Sequence, residues 1–151
     1  LAISLAGCAA TSVPVASSES AQPEPAAAPK TPLQQSTIPG TQRFYATELR
    51  PGDCIEPLPQ TSLVTVVPCR VPHSAEFATT YVLPQGPYPG ADMTRLAENG
   101  CLPRMRIKKS KRDEIGIAWL GPAFEDWPRY RTVYCLAVPM DGKKTTGRLV
   151  E

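Results

Sequence analysis

The side chains of this sequence that could do chemistry are few: five cysteines, one histidine and a cluster of bases and aromatics in the second half. Cys8 stands apart from the other cysteines, at the end of Leu5-Ala6-Gly7-Cys8. A lipoprotein signal peptidase needs small residues before the cysteine, because its pocket must admit extended backbone and the thiol must be reachable for acyl transfer. Cys8 is therefore the expected lipidation site, and residues 1–8 read as the end of a lipoprotein signal peptide. Two or three acyl chains on one residue exceed what stable anchoring needs. The expected address is the outer face of the cytoplasmic membrane, with the membrane itself as first partner.

Cys54, Cys69, Cys101 and Cys135 form an even set, which in an exported chain reads as two disulfides. Three pairings exist, and the spacing favours Cys54–Cys69 with Cys101–Cys135. The first pair brackets Pro57-Leu-Pro-Gln-Thr-Ser62, a turn-rich loop across which a hairpin would set the two cysteines opposite one another. In the second, Met93, Ala97, Cys101 and Met105 recur every four residues with Leu96, which puts Cys101 on the buried stripe of a helix within reach of a central strand. Each bridge is worth about 3 kcal/mol. No Cys-x-x-Cys pair is present, so redox catalysis is not the expected use.

His73 is the sole histidine, and most enzymatic readings would have to use it. The adjacent Ser74 would point to the opposite side of an extended strand, which argues against a Ser/His nucleophilic pair. A metal held by His73, Glu76 and a third carboxylate such as Asp53 is the competing chemistry, but the cysteines that would strengthen it are better used in disulfides. The expected role of Asp53, His73 and Glu76 is a structural polar cluster beside the first disulfide, with no catalytic residue, no metal and no cofactor. A small envelope hydrolase or metal-dependent enzyme using His73 is the alternative, and a lipid- or glycolipid-binding lipoprotein a further one.

Two surface features remain. Arg104, Arg106, Lys108, Lys109, Lys111 and Arg112 place six bases in nine positions. After a helix they would meet the negative end of its dipole, and near a membrane they would favour anionic lipid or wall polymer. Phe124, Trp127 and Tyr130 are candidates for a partner contact, since aromatic side chains anchor interfaces with little entropy to lose. Trp119 and Tyr134 sit in strand-like runs and are expected in the core.

These groups need elements to hold them. Leu63-Val-Thr-Val-Val67, Glu76-Phe-Ala-Thr-Thr-Tyr-Val-Leu83, Ile115-Gly-Ile-Ala-Trp-Leu120 and Thr132-Val-Tyr-Cys-Leu-Ala-Val138 are β-branched and aromatic runs that predict strands, with Phe77, Tyr81 and Leu83 on one face. A helix is predicted from Asp92 as N-cap, weakened at Gly100 and Pro103. Asp141-Gly142 predicts a turn that returns Thr145–Leu149 as a short last strand. The expected fold is α+β: a mostly antiparallel β-sheet with one principal α-helix packed on it, two disulfides, and a disordered tether before it.

Composition sets the boundaries. Of 151 residues 18 are proline, and six of these (Pro14, Pro23, Pro25, Pro29, Pro32, Pro39) precede residue 41 in a segment without aromatics. Residues 9–42 are read as a disordered Ala/Ser/Pro-rich tether, too polar to offset ordering by burial. Residues 43–151 form the domain. A net charge of +2 is too small to imply nucleic acid, and none is expected as a partner.

Taken together, the motifs resemble the septum formation domain family of actinobacterial membrane proteins and lipoproteins. The resemblance lies in Leu49-Arg-Pro-Gly-Asp-Cys54, in Val64-Thr-Val-Val-Pro-Cys69 with Pro72-His73 and Ala75-Glu76, and in Cys101, Pro122, Trp127, Arg131-x-Val-x-Cys135-Leu136 and Thr146-Gly147-Arg148-Leu149. It spans roughly residues 44–150. This chain differs in having Trp127-Pro128-Arg129-Tyr130 where the family commonly has a glycine before the arginine, and in the basic stretch after Cys101. The resemblance implies an extracytoplasmic module of cell division or envelope biology, with a divisome or cell-wall component as partner, and implies no activity. The expected function is thus a lipid-anchored, non-enzymatic binding module.

Overall fold

A computed structural model describes residues 38–151. The expectations for Cys8 and for most of the tether lie outside the described residues. Six strands form one sheet: β1 (Gln42–Tyr45), β2 (Cys54–Ile55), β3 (Leu63–Val67), β4 (Ala75–Val82), β5 (Ile115–Leu120) and β6 (Thr132–Pro139). Their order is β1-β3-β2-β4-β6-β5, and every neighbouring pair is antiparallel. One α-helix, α1 (Met93–Cys101), packs on it. The fold is therefore mostly antiparallel sheet with one helix among the described residues, and the cysteines pair as Cys54–Cys69 and Cys101–Cys135.

The sheet has a core on each face. On the helix side, Met93, Ala97 and Cys101 of α1 meet Ala78 and Leu83 from β4 and its exit, and Val133 and Cys135 of β6. The Cys101–Cys135 bridge thus runs from the buried stripe of the helix into a central strand, between residues that are both fully buried. On the other side Ala46, Leu49, Ile55, Val64, Ala75, Phe77 and Leu136 pack together with Ala118, Leu120 and Tyr134. Residues following β1 thereby share one core with residues of β5, although the two strands lie at opposite ends of the sheet order. The sheet curls into a half-barrel, and this second core fills its hollow.

A β-bulge between Phe77 and Thr79 changes which residues of β4 face which core. An extra residue in one strand reverses the alternation of everything after it. Ala75 and Phe77 therefore point into the hollow, whereas Ala78, Tyr81 and Leu83 point to the helix. Phe77 does not share a face with Tyr81 and Leu83 as simple alternation predicts.

Asp92 occupies the N-cap position, but its side chain makes no cap hydrogen bond. A 3₁₀ turn over Gly90–Asp92 leads into α1, with Met93 N–H donating to Gly90 O, and the Asp92 carboxylate instead pairs with Arg95 at 3.1 Å. After Cys101 the helix tightens into a 3₁₀ turn, Leu102–Arg104, at Pro103.

The last residues form no strand. Thr145 bridges His73, with both backbone N–H···O bonds at 2.9 Å, and Val150 bridges Ile107. Between them Gly147 N–H donates to Cys69 O at 2.7 Å, and Leu149 O accepts from Lys108 N–H at 2.9 Å. The segment runs between two loops instead of lying along a sheet edge, so its backbone partners change every few residues. Leu149 and Val150 are nevertheless buried in the helix-side core.

Candidate functional site

The polar cluster is assembled by a turn, a short strand and the start of β4. In Arg50-Pro-Gly-Asp53 the Arg50 N–H donates to Asp53 Oδ2 at 2.8 Å and the Asp53 N–H to Arg50 O at 2.9 Å. Gly52 has φ +97°, a conformation that favours glycine, and the Arg148 guanidinium lies over it, 2.9 Å from where a Cβ would sit. Asp53 is thus committed to its own turn. Cys54 follows directly and pairs with Glu76 across β2 and β4.

His73 and Glu76 are both fully buried. The His73 ring contacts Val71 O through Nδ1 at 2.9 Å; a carbonyl can only accept, so Nδ1 carries the proton. Glu76 Oε2 accepts the backbone N–H of Leu149. Burial pushes the Glu76 carboxyl above the ordinary range, against the opposing pull of the Leu149 and Val150 N–H groups and of the Arg148 charge. His73 Nε2 and Glu76 Oε1 have no hydrogen-bond partner. One ring nitrogen of His73, one carboxylate oxygen of Glu76 and Cys54 Sγ lie within 4.8 Å of one another. The structure therefore brings His73 and Glu76 beside a disulfide sulfur, with Asp53 turned to the backbone.

A smaller polar group flanks this one. Glu56 accepts Ser74 Oγ–H at 2.5 Å and pairs with Lys144 Nζ at 2.5 Å. Burial pushes Glu56 up, but the hydrogen bonds from Lys144 and Ser74 outweigh it and hold the carboxyl below its ordinary value. Ser74 is thus engaged away from His73.

The mouth of the half-barrel holds a groove of about 290 Å³, between the residues after β1 and those joining β5 to β6. Tyr45, Tyr130 and Tyr134 line it, with hydroxyls of Thr47, Ser62 and Thr132 and the Asp126 carboxylate around them. Tyr45 N–H donates to Glu48 Oε2 at 2.8 Å, and Ala46 N–H to Ser62 O at 2.7 Å, which fix the near wall. Tyr45 and Tyr130 are 60% and 59% exposed, whereas Tyr134 is half-buried and its hydroxyl is pushed above its ordinary pKa by that burial. Tyr45 and Tyr134 carry no sequence signal as groove residues; only the curl of the sheet makes them neighbours.

The other aromatics divide. Trp127 donates its indole N–H to Gly86 O at 2.9 Å and meets Tyr88 edge to face, with ring centroids 5.9 Å apart. Phe124 packs on the same Tyr88 at 5.3 Å and is 68% exposed. Of the three expected contact residues, Tyr130 faces the groove, while Phe124 and Trp127 clasp the loop before α1. Trp119 packs in the helix-side core.

The basic stretch folds back on the chain in several places. Arg104 donates to Gly100 O at 2.6 Å and lies 5.0 Å over the Tyr81 ring. Arg106 pairs with Glu151 at 3.6 Å, Lys111 with Glu114 at 2.9 Å, and Arg112 Nε donates to Ile107 O at 3.4 Å. Lys108 is half-buried and Lys109 exposed. No helix of the described residues is long and apolar enough to cross a membrane. Comparison of the chain with known protein families, with curated proteins and with solved structures gives no match.

Proposed function

We propose that this domain is a non-enzymatic binding module of the cell envelope, and that it holds a wall glycan in the tyrosine-lined groove of its half-barrel. The observation that carries the reading is the exposure of Tyr45 and Tyr130 on either side of that groove. Ligand sites concentrate in barrel mouths, and aromatic faces surrounded by hydroxyls and one carboxylate are suited to stacking on a sugar ring while hydrogen-bonding its rim. A volume of about 290 Å³ accommodates one or two rings of a chain that continues into solvent. The burial of His73, the sole histidine, supports a non-enzymatic role, because a fully buried imidazole cannot touch a substrate.

The lipobox at Leu5–Cys8 supports attachment to the outer face of the cytoplasmic membrane, and the septum-formation resemblance supports a partner in division or wall assembly. The test is sedimentation of the purified domain with insoluble cell-wall sacculi. Tyr45→Ala and Tyr130→Ala each remove an exposed ring, so both variants should fold and both should lose about tenfold in retention. Unchanged retention in the double variant sinks the glycan reading. In cells, septal or wall-associated fluorescence that is dispersed by Cys8→Ala supports the anchor.

A further inference from the structure

Among the described residues three buried side-chain polar atoms have no hydrogen-bond partner, Thr41 Oγ1, His73 Nε2 and Glu76 Oε1, and the last two belong to residues that lie side by side. An unsatisfied buried polar atom destabilises the fold that contains it, and more so where it is charged. Both groups sit within 4.8 Å of Cys54 Sγ, which is bonded to the sulfur of Cys69. Three donor groups, a sulfur, an imidazole nitrogen and a carboxylate oxygen, therefore lie together, and a second sulfur, that of Cys69, is bonded to the first. Two cysteines with nitrogen or oxygen donors are a zinc-type ligand set. Joined as a disulfide, the sulfurs are poor donors; as thiolates they are strong ones.

The geometry points to a redox-gated zinc site formed by Cys54, Cys69, His73 and Glu76, closed to metal while the Cys54–Cys69 disulfide stands and open when it is reduced. The Cα atoms of the two cysteines are 5.2 Å apart. Tetrahedral zinc with Zn–S bonds of about 2.3 Å holds its sulfurs about 3.8 Å from each other, a separation that side-chain rotation can supply. The surroundings are those of oriented ligands. Val71 O accepts the Nδ1 proton and so leaves the Nε2 lone pair for the metal, and the Leu149 N–H occupies Oε2 and leaves Oε1.

Opening needs a dithiol reductant, and the exposure of the two sulfurs sets the direction of attack. Cys54 is buried, whereas Cys69 is partly exposed. A thiolate of the reductant bonds to Cys69 Sγ, and the Cys54 thiolate leaves with the electron pair of the broken S–S bond. The second thiol of the reductant then attacks the mixed disulfide and frees Cys69. The reductant ends as a disulfide, and the two cysteines have gained two electrons and two protons. Zinc displaces these protons to solvent, along with that of Glu76 where it carries one.

The test uses the full chain carrying Cys8→Ala, reduced with a phosphine under anaerobic conditions and titrated with Co²⁺ alone. The expected result is a single equivalent of bound cobalt with the visible bands of a tetrahedral ion and thiolate-to-metal charge transfer. Zn²⁺ should displace it, Cys54→Ser should abolish it although Cys101 and Cys135 remain, and oxidised protein should show none. His73→Ala and Glu76→Gln should each shift the visible bands and weaken cobalt binding by about tenfold or more. Absence of the bands in reduced protein overturns the site. So do bands that are indifferent to both His73→Ala and Glu76→Gln, and so does a reduced chain that unfolds and that Co²⁺ fails to refold.

Discussion

Glu76 and Leu149, 73 residues apart in sequence, are joined by a hydrogen bond from the Leu149 backbone N–H to a carboxylate oxygen buried at the centre of the sheet. One side chain of β4 therefore supplies a backbone partner that a segment without a strand would otherwise lack.

Replacing Glu76 by Ala should cost about 2–4 kcal/mol, combining the lost charge-assisted hydrogen bonds with a buried cavity. The effect should be uneven. Hydrogen exchange at Leu149, Val150 and Thr145 should accelerate, while the β4–β6 ladder away from Glu76 keeps its protection. Urea titration with residue-resolved exchange reads both, and uniform loss of protection would contradict the local role.

Glu76 also sets a pH dependence. Its folded value lies above the ordinary one of about 4.5, so the native state binds its proton more tightly than the unfolded chain does. The stability this proton linkage supplies is full below about pH 4.5 and is lost as pH rises through the elevated folded value. Glu56, held below its ordinary value, acts the other way: its contribution is present above about pH 4.5 and is lost as pH falls through its folded value. Measured across this range, Glu76→Gln should gain on the parent as pH rises. A gap independent of pH would refute the assignment.

Gly100→Ala should destabilise, although alanine favours a helix over glycine by about 1 kcal/mol. A Cβ at position 100 would lie 2.1 Å from the Tyr81 ring, which is itself pinned under Arg104. Overpacking of this kind costs about 1–3 kcal/mol beyond the helix gain. Thermal unfolding gives the sign directly, and Tyr81→Ala in the same background should relieve the clash.

Trp127→Phe keeps an aromatic ring edge to face with Tyr88 but removes the indole donor to Gly86 O. A loss of about 1 kcal/mol is expected. Backbone mobility should rise around residues 84–89 without change in sacculus retention, whereas Tyr130→Ala should lower retention without lowering stability. The reverse pattern would mean that Trp127, not Tyr130, touches the partner.

What was legible in the sequence followed local rules. Leu63–Val67 and Ile115–Leu120 form strands at the predicted bounds because β-branched runs flanked by turn residues leave little alternative. Both cysteine pairings followed from a loop and a helical stripe. Phe77 lies on the opposite face from Tyr81 and Leu83 because of a bulge, which depends on the partner strand and is not contained in the alternation of one strand. Thr145–Leu149 read as a strand because its turn and β-branched residues were visible, whereas Glu76, the group that captures the segment, is far away in sequence. The proximity of His73 to Glu76 follows from three-residue spacing, but that Cys54 and not Asp53 is their neighbour depends on the Arg50–Asp53 turn closing on itself. The groove was least legible, because Tyr45 and Tyr134 meet only through the curl of the whole sheet.

Anchoring Leu149 and Val150 inside the core has a consequence for how the chain matures. Synthesis proceeds from the N-terminal end, so all six strands and the helix are made before the residues that satisfy Glu76. Until then Glu76 lacks its backbone donor and the helix-side core lacks Leu149 and Val150, so the interior of the domain is completed only when residues 149 and 150 arrive.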